Sequence, residues 1–279
     1  MALPVATLDH VVINARDDLD HAADTYRRLG FTLTPRGYHS LGSMNHLAMF
    51  GNDFLELIAV PKGATIRRDL LSYSLGLNGL AFGTEDSTTT YDALSNVGLA
   101  VEPPLEFIRP VEVDGGAARD ARFRAVRMKG GGVPYGRVFF IHHFTRDLLW
   151  RDEWRHHANG VVAVVRAMIV DADPASGTKL YADMFGPEVV HDIKGGKNVV
   201  AGNANLEVIT ETTLKDQFGP SVPDAEGRGA YMAGLTFRTV SLAKVAKALQ
   251  AGEIEFVQSP GRLVVPARLA LNTLLEFVE

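Results

Sequence analysis

The sequence predicts an α+β protein of four βαβββ modules, paired into two domains whose curled mixed sheets surround a cup-shaped interior, with helices outside. Three observations lead to this fold class. One order of elements, a strand, a helix and three further strands, occurs four times along the 279 residues. Short signatures recur at matching places: "YRRLGF" at 26–31 parallels "YADMFG" at 181–186, and "NGLAFGTED" at 78–86 parallels "AGLTFRTVS" at 233–241. A single four-stranded sheet with one helix cannot bury both of its faces, so the modules must pair.

The first module begins with the strand "LDHVVINA", in which apolar residues surround His10. The helix "DDLDHAADTYRRLGF" follows, with Asp17 or Asp18 as its cap and Gly30 at its end. Three further strands are predicted in "FTLTPRGYHS", "NHLAMF" and "DFLELIAV", the last two joined by the turn dipeptide Gly51-Asn52.

The other three modules repeat this order. The second has the strand "NGLAFGTED", the helix "STTTYDALSNVGL", the extended segments "AVEPPLEFIRPV" and "ARFRAVRM", and the strand "GRVFFIHHF". Loops are predicted at "VDGGAARD" (113–120) and "KGGGVPYG" (129–136), and the second of these has the composition of a mobile lid or a long turn. The third module starts at residue 161 and the fourth at residue 231. We therefore expect an N-terminal domain over 1–150 and a C-terminal domain over 158–279, joined by "WRDEWRHHANG".

Composition restricts the functions to be considered. The net charge of −5 makes a nucleic-acid partner unexpected. The chain has no cysteine, which excludes disulfides, thiolate nucleophiles and cysteine-ligated zinc or iron–sulfur sites. The sequence predicts neither a signal peptide nor a transmembrane helix, so we expect a cytoplasmic protein with a small-molecule substrate and no membrane partner. The sequence leaves open whether the protein forms a homodimer.

Several polar residues fall on predicted strands. Glu56 lies between two leucines, where an unpaired carboxylate is costly to bury. Alternate side chains of a strand share one face, so only one of His142 and His143 can face the interior. His46 has two alternatives: a two-residue turn pairs Glu56 with Leu47 and turns His46 away, whereas a three-residue bulged turn places His46 opposite Glu56.

The stretches "LDHVVI" and "DFLELI" resemble the vicinal oxygen chelate superfamily, which includes glyoxalases, extradiol dioxygenases and drug-resistance proteins. The stretch "FFIHHFTRDLLWRDEWRHHANG" is similar to its glyoxalase-like subgroup. The resemblance implies that each module can offer two metal ligands, from its first and its fourth strand. In the N-terminal domain these positions are His10, Glu56, Leu80 and His142, or His143 if the register slips by one. In the C-terminal domain they lie near Val165, Glu207, Leu235 and Glu276, without a histidine, so any metal centre is expected in the N-terminal domain.

The resemblance thus implies a divalent metal, Fe, Mn, Ni or Zn, on three protein ligands, His10, Glu56 and His142. Such a centre binds two adjacent substrate oxygens and acts as a Lewis acid. We expect a metal-dependent enzyme acting on a small oxygenated organic substrate by dioxygenase, isomerase or lyase chemistry, with Glu56 also catalytic. Substrate contacts are expected from His46, His143, Asn45, Arg124 and Phe140.

A second hypothesis is a small-molecule binding protein of the drug-sequestering type, without metal or turnover. Leu80 and the apolar C-terminal positions favour it, since these side chains cannot bind a metal ion.

Overall fold

Two eight-stranded mixed sheets follow one another along the chain. The computed structural model describes residues 2–113 and 116–279, so the predicted loop 113–120 lies partly outside the described residues. The helices are α1 Leu19–Arg28, α2 Asp69–Ser72, α3 Ser87–Asn96, α4 Pro174–Phe185, α5 Glu211–Phe218 and α6 Leu242–Ala251. The strands of the first sheet are β1 Leu8–Asn14, β2 Gly37–Tyr38, β3 Met44–Met49, β4 Phe54–Ala59, β5 Gly76–Gly83, β6 Leu105–Glu112, β7 Ala118–Val133 and β8 Gly136–His143. Those of the second are β9 Val161–Val170, β10 Val190–Ile193, β11 Gly196–Ala201, β12 Ala204–Ile209, β13 Tyr231–Thr239, β14 Val257–Ser259, β15 Arg262–Val265 and β16 Leu274–Val278.

The strand order confirms the predicted module repeat. The first sheet has the order β2-β3-β4-β1-β5-β8-β7-β6 and the second β10-β11-β12-β9-β13-β16-β15-β14, which is the same arrangement. In each sheet the first strands of two modules pair antiparallel at the centre, and each also pairs parallel with the last strand of its own module. The interior of each sheet therefore receives side chains from four central strands.

Local sequence signals account for the first helix and its end. Asp18 caps α1, since its side chain accepts a hydrogen bond from the backbone N of His21. Gly30 ends the turn after the helix with φ +88°, and a Cβ there would lie 2.8 Å from Cβ of Ala248 in α6. Glycine thus meets two requirements at once, a left-handed backbone and a close approach of the second half of the chain.

Two hairpins settle alternatives that the sequence left open. The backbone N of Phe50 donates to the carbonyl of Asp53 at 2.9 Å, and Leu47 lies opposite Glu56. The two-residue turn is therefore the one formed, and His46 faces away from Glu56. The stretch 129–136 is a hairpin rather than a free loop, because Val133 of β7 pairs with Gly136 of β8.

The largest apolar cluster lies between the two halves of the chain. It joins Phe31 and Phe50 of the first half to Phe237 and Phe277 of the second, and several of these rings pack edge to face. Within residues 2–113 and 116–279, no helix has the length and apolar character needed to cross a membrane.

Candidate active site

The interior of the first sheet contains a cavity of about 70 Å³. Alternate residues of the central strands point into it, as the pleat of a sheet requires. The cavity is lined from these strands by His10, Asn45, Leu47, Phe54, Glu56, Ile58, Phe139, Ile141 and His143.

A hydrogen-bonded cluster of one carboxylate and two imidazoles borders the cavity: His10 and His143 line it, and Asp9 lies behind them in the lining of another cleft. Oδ1 of Asp9 lies 2.7 Å from Nδ1 of His10 and 3.0 Å from Nε2 of His143. Burial opposes ionisation of Asp9, but His143 and then His10 outweigh it and hold the pKa of that carboxyl far below its ordinary value. Nη1 of Arg146 lies 3.6 Å from the other Asp9 oxygen. Asp9 is therefore a buried anion that fixes both rings.

Aromatic rings hold His10 in place. Phe54 stacks on it with 4.3 Å between ring centroids, and Phe139 packs edge to face with 5.5 Å between centroids. Trp150 supports the neighbouring ring of His143 at 5.2 Å. The two imidazoles have little freedom to move away from Asp9.

Glu56 is the ionised group inside the cavity. Its Oε1 accepts a 2.7 Å hydrogen bond from Nδ2 of Asn45, and its Oε2 lies 3.9 Å from Nε2 of His10. Burial raises the pKa of Glu56, but His39 and His10 outweigh that effect and the net shift is downward. Asn45 is itself fixed, because its Oδ1 accepts from Nε of Arg109 at 2.9 Å.

The sheet register shows which residues of the second module lie beside His10. His10 lies opposite Ala81, and Ala81 pairs with Phe139, whereas Leu80 lies opposite Val11. The second-module residues beside His10 thus carry a methyl group and a phenyl ring, neither of which binds a metal. The sequence could not show this, because the antiparallel register of β1 and β5 includes shifts that no local motif signals.

His142 is also corrected, since it does not reach the cavity. Phe139, Ile141 and His143 alternate into the cavity, and His142 lies between them with its ring 4.2 Å from that of Phe144. Of the adjacent histidines, His143 is the one that faces the interior.

Three further predicted contacts lie elsewhere, which corrects their assignment to the substrate site. His46 is hydrogen-bonded through Nδ1 to the carbonyl of Thr34 at 2.8 Å. Arg124 forms an ion pair with Glu106 at 3.1 Å on an exposed strand. Phe140 is fully buried in the core shared by the two halves. Asn45 and His143, by contrast, lie in the cavity wall.

The second sheet carries an arginine where the first carries His10. Arg166 lies two residues before the partner of Glu207, as His10 lies two residues before the partner of Glu56. Its guanidinium donates to Glu207 at 2.8 Å, to Glu276 at 2.5 Å and to the hydroxyl of Thr236 at 2.9 Å. Both carboxylates of this sheet interior are therefore paired with a cation of the chain itself, and the predicted positions Val165 and Leu235 take no part.

Sequence reasoning missed Asp9 as a site residue. In a regular strand, Asp9 and His10 would point to opposite faces. A register shift between Leu8 and His10 breaks this alternation and brings the two side chains together. The adjacent letters "DH" were the available signal.

The donor set beside the cavity fits a divalent metal. One ligand atom from each of Asp9, His10 and His143 lies within 4.8 Å of the other two. Two imidazoles and one carboxylate suit Fe(II), and the same donors serve Mn(II), Ni(II) and Zn(II). These residues differ from the predicted set at two of its three members.

Solved structures share this architecture at low sequence identity. A hypothetical protein from Staphylococcus aureus has a TM-score of 0.68 and 14% identity, over 97% of this chain and 98% of that one. A triple mutant of 4-hydroxymandelate synthase from Streptomyces coelicolor has a TM-score of 0.62 and 12% identity, over 99% and 93%. A xylose isomerase-like TIM barrel/4-hydroxyphenylpyruvate dioxygenase fusion protein has a TM-score of 0.60 and 11% identity, over 100% of this chain and 49% of that one. At these identities the likeness concerns the fold.

The sequence comparison is more specific. No curated protein matches the chain significantly. The family described as "Glyoxalase-like domain" matches residues 8–185, which include the whole first sheet and continue through α4. The chain therefore belongs to the glyoxalase-like domain family, within the vicinal oxygen chelate superfamily.

Proposed function

We propose that this protein is a metal-dependent enzyme that acts on a small oxygenated organic substrate in the N-terminal cavity. The observation that carries the proposal is the closeness of two features at one cavity. The Asp9, His10 and His143 cluster offers a donor set for a metal, and the ionised Glu56 lies beside it. The dioxygenase and synthase names of the structural neighbours belong to those proteins.

Asp9, His10 and His143 would hold the metal. When bound, the metal supplies a positive charge that stabilises negative charge on a substrate oxygen. The ligand residues are rigid before binding, since hydrogen bonds and ring contacts fix both imidazoles.

Glu56 is the base of the proposed reaction. Its Oε2 takes the proton from a hydroxyl-bearing carbon next to a substrate carbonyl, and the electron pair of that C–H bond moves towards the carbonyl oxygen, which gives an enediolate. The hydroxyl proton then moves to that oxygen, and return of the first proton to the former carbonyl carbon gives the isomeric α-hydroxy carbonyl compound. The hydrogen bond from Asn45 aims the carboxylate, and its lowered pKa keeps it ionised at neutral pH. A positioned base favours isomerase or lyase chemistry over dioxygenation.

Proton exchange in deuterium oxide tests this proposal without knowledge of the natural substrate. Nuclear magnetic resonance would follow loss of the α-proton signal from a panel of α-hydroxy ketones and 2-oxo acids. We expect exchange that a chelator suppresses and that Glu56→Gln lowers by roughly 10²–10⁴-fold, the usual range for a positioned base. The control His142→Ala should exchange like the wild type, because His142 lies outside the cavity. Exchange that is equal in Glu56→Gln and the wild type would overturn the assignment of the base.

One observation favours the second candidate, a metal-free binding protein. Ala81 and Phe139 lie beside His10 and cannot bind a metal, and Phe139 and Phe54 cover the ring of His10. This candidate predicts that a ligand raises the melting temperature equally with and without chelator, and that no panel compound exchanges its protons.

A further inference from the structure

A second and larger cleft adjoins the candidate active site. The cleft has a volume of about 360 Å³, against about 70 Å³ for the cavity that holds Glu56. The two share four wall residues, Arg67, Phe107, Arg127 and Phe139. A substrate of more than a few atoms that reacts beside Glu56 must therefore place its remainder elsewhere, and the cleft is the adjoining space.

Three guanidinium groups line this cleft, from Arg67, Arg127 and Arg137. Arg67 is paired, because Asp69 accepts from its Nε at 3.1 Å and from its Nη2 at 3.2 Å. Arg137 donates through Nε to Asn78 at 2.8 Å, but its Nη2 is buried with no hydrogen-bond partner. The side chain of Arg127 makes no hydrogen bond and no ion pair with any residue of the described ranges 2–113 and 116–279.

The charges around the cleft do not balance. Asp69 is already engaged by Arg67, and the other acidic wall residue, Glu102, is exposed to solvent. Burial lowers the pKa of Arg137 to about 10 and also lowers that of Arg127, yet both stay charged at neutral pH. Holding the buried Nη2 of Arg137 without a partner is costly, and an oxyanion would satisfy it and pair with Arg127.

We propose that this cleft binds a carboxylate of the substrate, through Arg127 and the free Nη2 of Arg137. The planar fork of a guanidinium matches the two oxygens of a carboxylate, and a phosphate offers the same oxyanion chemistry. The rings of Phe107 and Phe139 in the shared wall provide an apolar contact for a flat organic group between the anion and the reacting carbon. The inference deepens the proposed function, since it names the substrate class as an organic acid, and it rests on that function for the reaction itself.

Binding of phenylacetate and its neutral analogue phenylacetamide tests the proposal. Calorimetry and thermal shift would compare the wild type with Arg127→Met and Arg137→Met. The control is Arg122→Met, since Arg122 pairs with Glu106 on an exposed strand outside the cleft. We expect phenylacetate to bind the wild type and the control alike, and the amide to bind weakly. Arg127→Met should weaken acid binding by about tenfold or more, the usual effect of losing a charged hydrogen-bond partner.

Each result of the binding experiment either supports or overturns the carboxylate site. Equal binding of acid and amide, or wild-type affinity in Arg127→Met, would overturn the carboxylate site. Arg127 is half-buried and unpaired, so its replacement tests the site even if Arg137→Met fails to fold. Inorganic phosphate should compete with phenylacetate; phosphate binding without phenylacetate binding would overturn the organic-acid assignment.

Failure of the proposed function and failure of the carboxylate site give different results in the two assays. If no compound exchanges protons, yet phenylacetate binds through Arg127, the anion site stands and the enzyme proposal fails. If exchange depends on Glu56 but is equal for acids and for neutral ketones in the wild type and Arg127→Met, the enzyme proposal stands and the anion site fails.

Discussion

Asp9→Asn should destabilise the protein more than any exposed aspartate replacement. The carboxylate is 4% exposed and accepts hydrogen bonds from two imidazoles, at 2.7 and 3.0 Å. Both bonds reach Oδ1, so an asparagine oxygen placed there can still accept them, but as neutral bonds of about 0.5–1.5 kcal/mol each, against about 1.5–3 kcal/mol for bonds to a charged group. We therefore expect a loss of roughly 2–4 kcal/mol in the free energy of unfolding at pH 7. Urea denaturation measures this loss.

The effect has a defined pH dependence. The pKa of Asp9 is depressed in the folded protein, so its stabilisation is present above the unfolded pKa, ordinarily 3.8, and is lost as the pH falls towards the folded value. The stability gap between wild type and Asp9→Asn should be full at pH 7 and shrink below about pH 4. The control is Asp152→Asn, which removes only an exposed pair with Arg155 and should cost less than about 1 kcal/mol. A loss at Asp9 as small as the loss at Asp152 would refute the reasoning.

Three further predictions concern other contacts of the protein. Arg166→Met should lower the free energy of unfolding by roughly 3 kcal/mol in urea denaturation, because Glu207 loses its cation and Glu276 keeps only Arg262; retention of wild-type stability would refute it. Gly37→Ala should slow proton exchange without reducing metal uptake. The added Cβ would collide with Nε of Arg109, which orients the amide of Asn45, and that amide holds the carboxylate of Glu56. Unchanged exchange would count against this chain of contacts. Burial raises the pKa of Asp53 from its ordinary 3.8 to about 7, so the folded state loses stability as the pH rises and this carboxyl must ionise. Urea midpoints should therefore fall between pH 5 and pH 8 in the wild type and fall less in Asp53→Asn. Equal falls in the two proteins would contradict this.

The fold could be predicted because its signals are repeated. Each module presents the same order of period-2 strands and one capped helix, so an error in one segment is corrected by the other three copies. The pairing of modules then follows from the need to bury the second face of each sheet.

The site could be predicted only where one strand determines it. His10 and Glu56 follow from the first and fourth strands of one module, and Asn45 follows from the adjacent hairpin. The choice between His142 and His143 depends on which alternate residues of β8 face the cavity, and two adjacent histidines give no local signal for this.

Other parts of the site depend on contacts between distant segments. Ala81, rather than Leu80, lies opposite His10 because of shifts between β1 and β5. The arginine cleft combines residues 67, 127 and 137, which stand on a loop and on two different strands. No spacing in the sequence marks such a set, since arginines on exposed strand faces have the same local pattern.

Metal stoichiometry of the two adjacent histidine variants tests the central claim most directly. Protein purified without chelator would be loaded with Fe(II), Mn(II), Ni(II) or Zn(II), desalted and analysed for bound metal. The claim predicts nearly stoichiometric metal in the wild type and in His142→Ala, and almost none in His143→Ala. Absence of metal from the wild type with all four ions, or equal loading of His143→Ala and the wild type, would contradict a metal site formed by Asp9, His10 and His143.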